Sequence, residues 1–201
     1  MPIAMLALLV LPALADEGMW LPEQLPMLDQ RLQDAGLQID AAVLADPQQA
    51  PLGAIVSLGF CSAAFLSDDG LLGTNHHCVG GFLQHNSSAE ADRGHDGYLA
   101  PDRAGELPVG PGGRLTIVES IEDVTDAVVA GTSRRTKDAQ RANRMAENRK
   151  RLVAGCESDD DHSCIVVPYY GGQTWSLVRR RVLRDVRIVY APPESVGSFG
   201  G

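Results

Sequence analysis

Hydrophobic positions in this chain change period several times, and each change marks an element. Residues 3–11 are an unbroken apolar run, followed by Ala13-Leu14-Ala15. Leu25, Leu28, Leu32 and Ala35 then recur at helical spacing up to Gly36, a natural stop. Asp40 is placed to cap a short second helix that ends before Pro47. From residue 53 the pattern turns to short apolar and β-branched runs. Residues 53–67 and 71–78 read as the two arms of a hairpin, because Ser67-Asp68-Asp69-Gly70 between them supplies the turn chemistry. Residues 79–111 are glycine-rich and polar and read as loops, closed by Gly112-Gly113. Residues 114–120 alternate as a strand does. A helical region is predicted over about 123–154, with Thr132 or Ser133 as a new N-cap within it. Residues 165–170, 174–182 and 186–191 read as further strands, with Gly171-Gly172 turning between the first two. Trp20 reads as a core anchor, and Tyr169, Tyr170 and Trp175 as packing and edge cover. The fold class predicted is mainly β with helical insertions (α+β).

A length of 201 residues allows one domain with a sizeable core. The first apolar run and its Ala-Leu-Ala ending fit a signal peptide, residues 1–15, cleaved after Ala15. No charged residue precedes that run, and a short buried helix is the competing reading. No other run is long enough to cross a bilayer, so no membrane span is expected after cleavage. Export implies an oxidising compartment, where four cysteines suggest two disulfides. Three pairings exist, and the short separations favour Cys61 with Cys78 and Cys156 with Cys164. A zinc site built from Cys61, His77, Cys78 and another ligand competes with the first pair. The leader opposes it, as does the lack of a Cys-x-x-Cys pair. Asp159, Asp160, Asp161 and His162 also invite a metal, but four consecutive residues on a small loop hardly converge on one ion.

The net charge of −9 at pH 7 disfavours nucleic acid as a partner. The stretch from Ser133 to Arg151 runs the other way, being crowded with arginine and lysine against only Asp138 and Glu147. A solvated helix face is the ordinary meaning of such a run, and a contact with an acidic surface elsewhere in a longer polypeptide is the alternative.

The candidate chemistry lies in Thr74-Asn75-His76-His77-Cys78. Adjacent strand residues point to opposite faces, so only one of His76 and His77 can look into a cleft if the strand runs on to Cys78. Other blocks accompany this one, in order. They are Asp16-Glu17-Gly18-Met19-Trp20-Leu21-Pro22-Glu23-Gln24, residues 53–57, Gln84-His85-Asn86-Ser87-Ser88, Glu106-Leu107-Pro108, Asp185-Val186-Arg187, and Ala191-Pro192-Pro193-Glu194-Ser195-Val196-Gly197-Ser198-Phe199-Gly200-Gly201. The series resembles the N-terminal portion of the bacterial dipeptidyl-peptidase family, chymotrypsin-related serine exopeptidases that remove dipeptides from free N-termini.

The resemblance implies part of a chymotrypsin-like double β-barrel, first barrel only, with a long helix inserted and residues 16–201 as the N-terminal part of the peptidase domain. It implies His77 as the general base, since the base of chymotrypsin-like enzymes immediately precedes the disulfide cysteine. His76 is then hydrogen-bonded scaffolding, His85 steadies a loop, and Gly73, where the family has a larger residue, is expected to loosen the packing behind the base. Oligopeptide substrates, a periplasmic or secreted location, no cofactor and room for a homodimer built through later segments follow in the same way. A serine peptidase also needs a nucleophile, an orienting acid and oxyanion donors. This chain supplies the base only. Its serines, Ser195 included, lie in no nucleophile-type turn, and no spacing argument promotes Asp123, Asp126 or Asp185. In the family the aspartate lies shortly beyond the block that Phe199-Gly200-Gly201 resembles, and the serine far downstream, so Gly201 reads as a truncation point. The alternative is a catalytically inactive fragment acting at most as a peptide-binding module. An endopeptidase of the chymotrypsin kind is disfavoured by the helical insertion and the N-terminal block.

Overall fold

The structure, a computed structural model, describes residues 18–110 and 112–198. The expected signal peptide and its cleavage point after Ala15 lie outside the described residues, as does Phe199-Gly200-Gly201. The helical pattern near the N-terminus is realised as a 3-10 helix, Pro22–Leu28, running into α1 (Asp29–Asp34). Asp40 accepts from the Ala42 amide at 2.8 Å and caps the 3-10 turn Ala41–Leu44, as expected. Trp20 departs from its predicted core role, remaining 45% exposed with its indole lying against Gly18.

The apolar run over 53–67 yields β1 (Ile55–Ser57) and β2 (Ser62–Phe65), and the second run yields β3 (Leu72–Thr74). Two tight turns join them. The second is the predicted one at 67–70, while the first, at 58–61, breaks what the pattern suggests is a single arm. There the Leu58 amide reaches the Cys61 carbonyl at 2.7 Å, and Gly59 takes a φ of +91° that a side chain would resist. The space beside Gly73 is taken by Leu66, which a Cβ at that position would meet at 3.0 Å.

Two sequence expectations fail beyond Thr74. The strand does not continue to Cys78, and 79–85 is no loop, because His76–His85 form helix α2. Asn75, extended at φ −74° and ψ 148°, is its N-cap. Val79, Phe82 and Leu83 then recur at helical spacing, and the Gly80-Gly81 pair between them disguises the period. The chain continues through α3 (Arg93–Asp96), β4 (Tyr98–Leu99), β5 (Leu107–Pro108) and the long β6 (Leu115–Asp123).

The predicted helical region is two helices, α4 (Thr125–Val129) and α5 (Asp138–Cys156). Neither Thr132 nor Ser133 caps α5. Lys137 stands at its N-cap, and the Ser133 and Thr136 hydroxyls pair with each other at 3.2 Å in the intervening turn. Buried Asn148 staples the two helices by donating to the Val128 and Ala130 carbonyls at 2.9 and 3.0 Å. The basic residues of α5 face outward for the most part, although Arg149 lies over Trp175 at 5.0 Å. The remaining elements are β7 (His162–Tyr169), β8 (Thr174–Leu183), β9 (Arg187–Ile188), β10 (Tyr190–Ala191) and α6 (Glu194–Gly197).

Six strands form one antiparallel sheet in the order β3-β2-β1-β6-β8-β7, and β10-β4 and β5-β9 make two short ribbons. The class is thus mainly β with helices, as the pattern implies. A bulge in β6 between Val118 and Ser120 leaves Glu119 outside the ladder with β8. Two apolar clusters support the sheet. Val56, Ala63 and Leu115 make one, while Leu83, Val109, Ile188 and Ala191 make the other beneath α2, and Val186 touches both. Fully buried Leu83 therefore anchors the helix that begins with the two histidines. Among the described residues no helix is long and apolar enough to cross a membrane.

Candidate active-site corner

Because Asn75 ends the strand and starts a helix, His76 and His77 occupy the first turn of α2, about 100° apart around its axis. They diverge as the alternation argument requires, for a helical reason instead. His76 turns inward beneath α6. A Cβ added to Gly197 would lie 2.2 Å from its Cδ2, so only glycine permits this approach. The His76 Nε2 is enclosed and has no hydrogen-bond partner among the described residues, so His76 is held by packing and not by the hydrogen bond that sequence reasoning expects. His77 turns outward. It is exposed, and its ring meets no hydrogen-bond or ion-pair partner among the described residues.

A disulfide fixes this turn to the sheet. Cys61, at the end of the 58–61 turn, is bonded to Cys78 with an S–S distance of 2.04 Å and Cα atoms 6.0 Å apart. The two sulfurs and a ring nitrogen of His77 lie within 4.8 Å of one another. That cluster has the outline of the competing zinc site. However, each sulfur already shares its electrons with the other, which leaves no thiolate to bind a metal. Beside the bridge, Phe60 is 66% exposed at the tip of its turn and meets Phe82 of α2 with ring centroids 6.0 Å apart. Farther along α2, His85 lies next to Gly110, and Asn86 donates to the Phe82 and Pro108 carbonyls at 2.8 and 2.9 Å. This block closes a loop and leaves the first turn of α2 clear.

The second disulfide, Cys156 to Cys164, also forms, with Cα atoms 6.1 Å apart. Its loop does not gather its acids around one point. Asp159 faces His162 at 2.6 Å, and the Asp161 carboxylate faces Arg184 at 3.2 Å. Asp160 contributes its carbonyl to the same arginine. The hydrogen bond with His162 holds the Asp159 carboxyl below its ordinary value. His162 is the residue that sequence reasoning undervalues. Its side chain is only 13% exposed, and its second ring nitrogen lies 3.1 Å from Glu119. Glu119 in turn takes Arg181 at 2.7 Å and Arg179 at 3.4 Å. The bulge in β6 aims Glu119 into this network, and no local signal in the sequence announces it.

Two of the aspartates passed over as orienting acids are engaged elsewhere. Asp123 accepts from the Thr125 amide at 2.8 Å, and the Thr125 side chain, followed by that amide, holds its carboxyl below its ordinary value. Asp185 forms a two-pronged pair with Arg187 at 2.8 and 2.9 Å, with the same effect on its carboxyl.

Comparison with known proteins follows the same outline. The profile of the family described as peptidase S46 matches residues 15–201. An Asp/Glu-specific dipeptidyl-peptidase of Shewanella putrefaciens is 41% identical over 204 residues, spanning 100% of this chain and 28% of that protein. Dipeptidyl-peptidase 7 of Porphyromonas gingivalis is 34% identical over 192 residues, spanning 94% of this chain and 27% of that protein. Among solved structures, Porphyromonas endodontalis DPP11 in an alternate conformation superposes with a TM-score of 0.78 at 34% identity, over 92% of this chain and 28% of that one. The same protein in complex with the dipeptide Arg-Glu gives 0.77 at 32% identity, over 91% and 27%. The chain therefore spans a little over a quarter of the length of these relatives, and its fold fits part of a double barrel.

Proposed function

The chain belongs to the peptidase S46 family, and on that footing we propose that it is the N-terminal part of an exported serine-type dipeptidyl-peptidase in which His77 is the general base. The observation that carries this reading is the exposed imidazole of His77, unengaged among the described residues and held to a rigid sheet through the Cys61–Cys78 bridge. A base in acyl transfer uses one ring nitrogen for the nucleophile and the other for the acid that orients it. Among the described residues nothing occupies either nitrogen of His77, so both can serve those roles. In this reading a serine and an aspartate supplied by polypeptide outside this chain complete the triad. The imidazole takes the serine proton as the oxygen attacks the second peptide carbonyl, and then returns that proton to the departing amine.

The substrates are oligopeptides with free N-termini, in keeping with relatives that are dipeptidyl-peptidases and with a solved relative that holds Arg-Glu or Arg-Asp. Residues 1–15 serve as the signal peptide, residues 16–201 form the first barrel with its helical insertion, and the product is periplasmic or secreted. A homodimer would assemble through segments outside this chain. The test is dipeptide release from a short peptide by the full-length gene product, read by mass spectrometry. His77→Ala is expected to abolish release while the circular dichroism spectrum is kept. Retained release would refute the assignment.

A second reading, a non-catalytic peptide-binding fragment, is favoured by one observation: no serine hydroxyl or carboxylate engages His77 among the described residues. The 201-residue chain alone is expected to show no turnover of a dipeptide chromogen, and turnover would count against both the fragment reading and the need for outside partners.

A further inference from the structure

We propose that the aromatic corner of Phe60 and Phe82 seats the first residue of the departing peptide, so that the enzyme prefers substrates with an apolar third residue. The inference rests on the reading of His77 as the base and deepens it by assigning the leaving side of the cleft.

The argument starts from the proton. Whatever group attacks, the proton that releases the product must pass from His77 to the amine nitrogen of the departing peptide. That nitrogen must therefore come within about 3 Å of the ring. An extended residue advances the chain by only about 3.3–3.6 Å. The first side chain beyond the cleaved bond must then lie against whatever flanks the base. On one flank stand the Cys61–Cys78 sulfurs, within 4.8 Å of the His77 ring nitrogen. Phe60 is the chain neighbour of Cys61, and Phe82 lies one helical turn beyond Cys78 on the same side of α2. The bridge beside the base thus leads on to two rings that meet each other at 6.0 Å, and none of these side chains carries charge.

A single exposed apolar side chain is ordinary. This one differs in how it is held. Phe60 stays 66% exposed although the 58–61 turn is held on both sides of it, by the Leu58–Cys61 hydrogen bond at 2.7 Å, the Ser57 hydroxyl on the Gly59 amide at 3.0 Å, and the disulfide. Phe82 braces it from the side at 6.0 Å in a tilted arrangement. The ring is thus rigidly displayed beside the only exposed histidine of α2's first turn, with most of its surface still open to a partner.

The experiment uses the full-length protein and peptides that share one N-terminal dipeptide and differ only at the third residue: leucine, phenylalanine, glycine or aspartate. The expected kcat/KM for leucine or phenylalanine exceeds that for glycine by at least about fivefold, in the range a filled apolar pocket supplies. Phe60→Ala should collapse the ratio to within about twofold, and Phe60→Leu should keep most of it. Equal rates for all four peptides in the unaltered enzyme would overturn the proposal, as would an undiminished ratio in Phe60→Ala. Failure of the underlying reading looks different: dipeptide release that survives His77→Ala removes the base and leaves the third-residue ratio without this explanation.

Discussion

Each disulfide of this protein fastens a short loop beside a histidine, and the two histidines end in opposite circumstances. His77 stands exposed with no ring partner among the described residues, next to a bridge that ties helix to sheet. His162, two residues before Cys164, has a side chain 13% exposed and both ring nitrogens facing carboxylates, Asp159 at 2.6 Å and Glu119 at 3.1 Å. The sequence motifs are nearly alike. What separates them is occupancy: a ring whose nitrogens are both engaged fixes a loop, whereas an unoccupied ring on a rigid support can exchange protons with a substrate.

The contrast can be broken most directly by removing each ring in the full-length protein. His77→Ala is expected to lower kcat/KM for dipeptide release by at least roughly 10⁴-fold with little change in thermal unfolding. His162→Ala should do the reverse, leaving kcat/KM within about threefold while lowering the unfolding temperature. A large activity loss in His162→Ala would end the distinction. Next in size are the bridges. Removing Cys61 and Cys78 together is expected to cost about 3 kcal/mol, and removing Cys156 and Cys164 about 2.5 kcal/mol, from the loop lengths they close. Only the first pair should also depress dipeptide release, as urea unfolding and a parallel assay would reveal.

Gly197→Ala comes third. The added methyl must displace the His76 ring or the α6 backbone, at a cost of about 1–3 kcal/mol read as a lower urea midpoint. The smallest effect is in acid. The folded Asp159 carboxyl titrates below its ordinary value of 3.8. Its contribution is therefore complete above that value and is lost as pH falls through the lower folded one. His162→Ala should flatten the stability profile below about pH 4, and an unchanged acid limb would show that the pair does not hold the loop.

Much of this was legible from the chain itself, and the failures share a cause. The 67–70 turn, the strands β6 to β8 and the Asp40 cap follow from local chemistry that the sequence displays. The helix after Asn75 does not stand out, because Gly80-Gly81 interrupts a period otherwise carried by Val79, Phe82 and Leu83. Asn75 was the available clue, being a good N-cap in front of that period. Within the run, the break at 58–61 is marked only by Gly59. The His162 network depends on Glu119, which reaches the loop only because β6 bulges and because β8 lies between β6 and β7. Such a meeting of three strands and a loop leaves no mark in any single window of sequence.

The glycine that lies flat on His76 also orders events in time. During synthesis the histidine pair leaves the ribosome early, but the turn that roofs the inner ring is made far later. Until it docks, the inner ring, that of His76, lacks one wall. The corner can therefore reach its final shape only once nearly all of this segment has been translated.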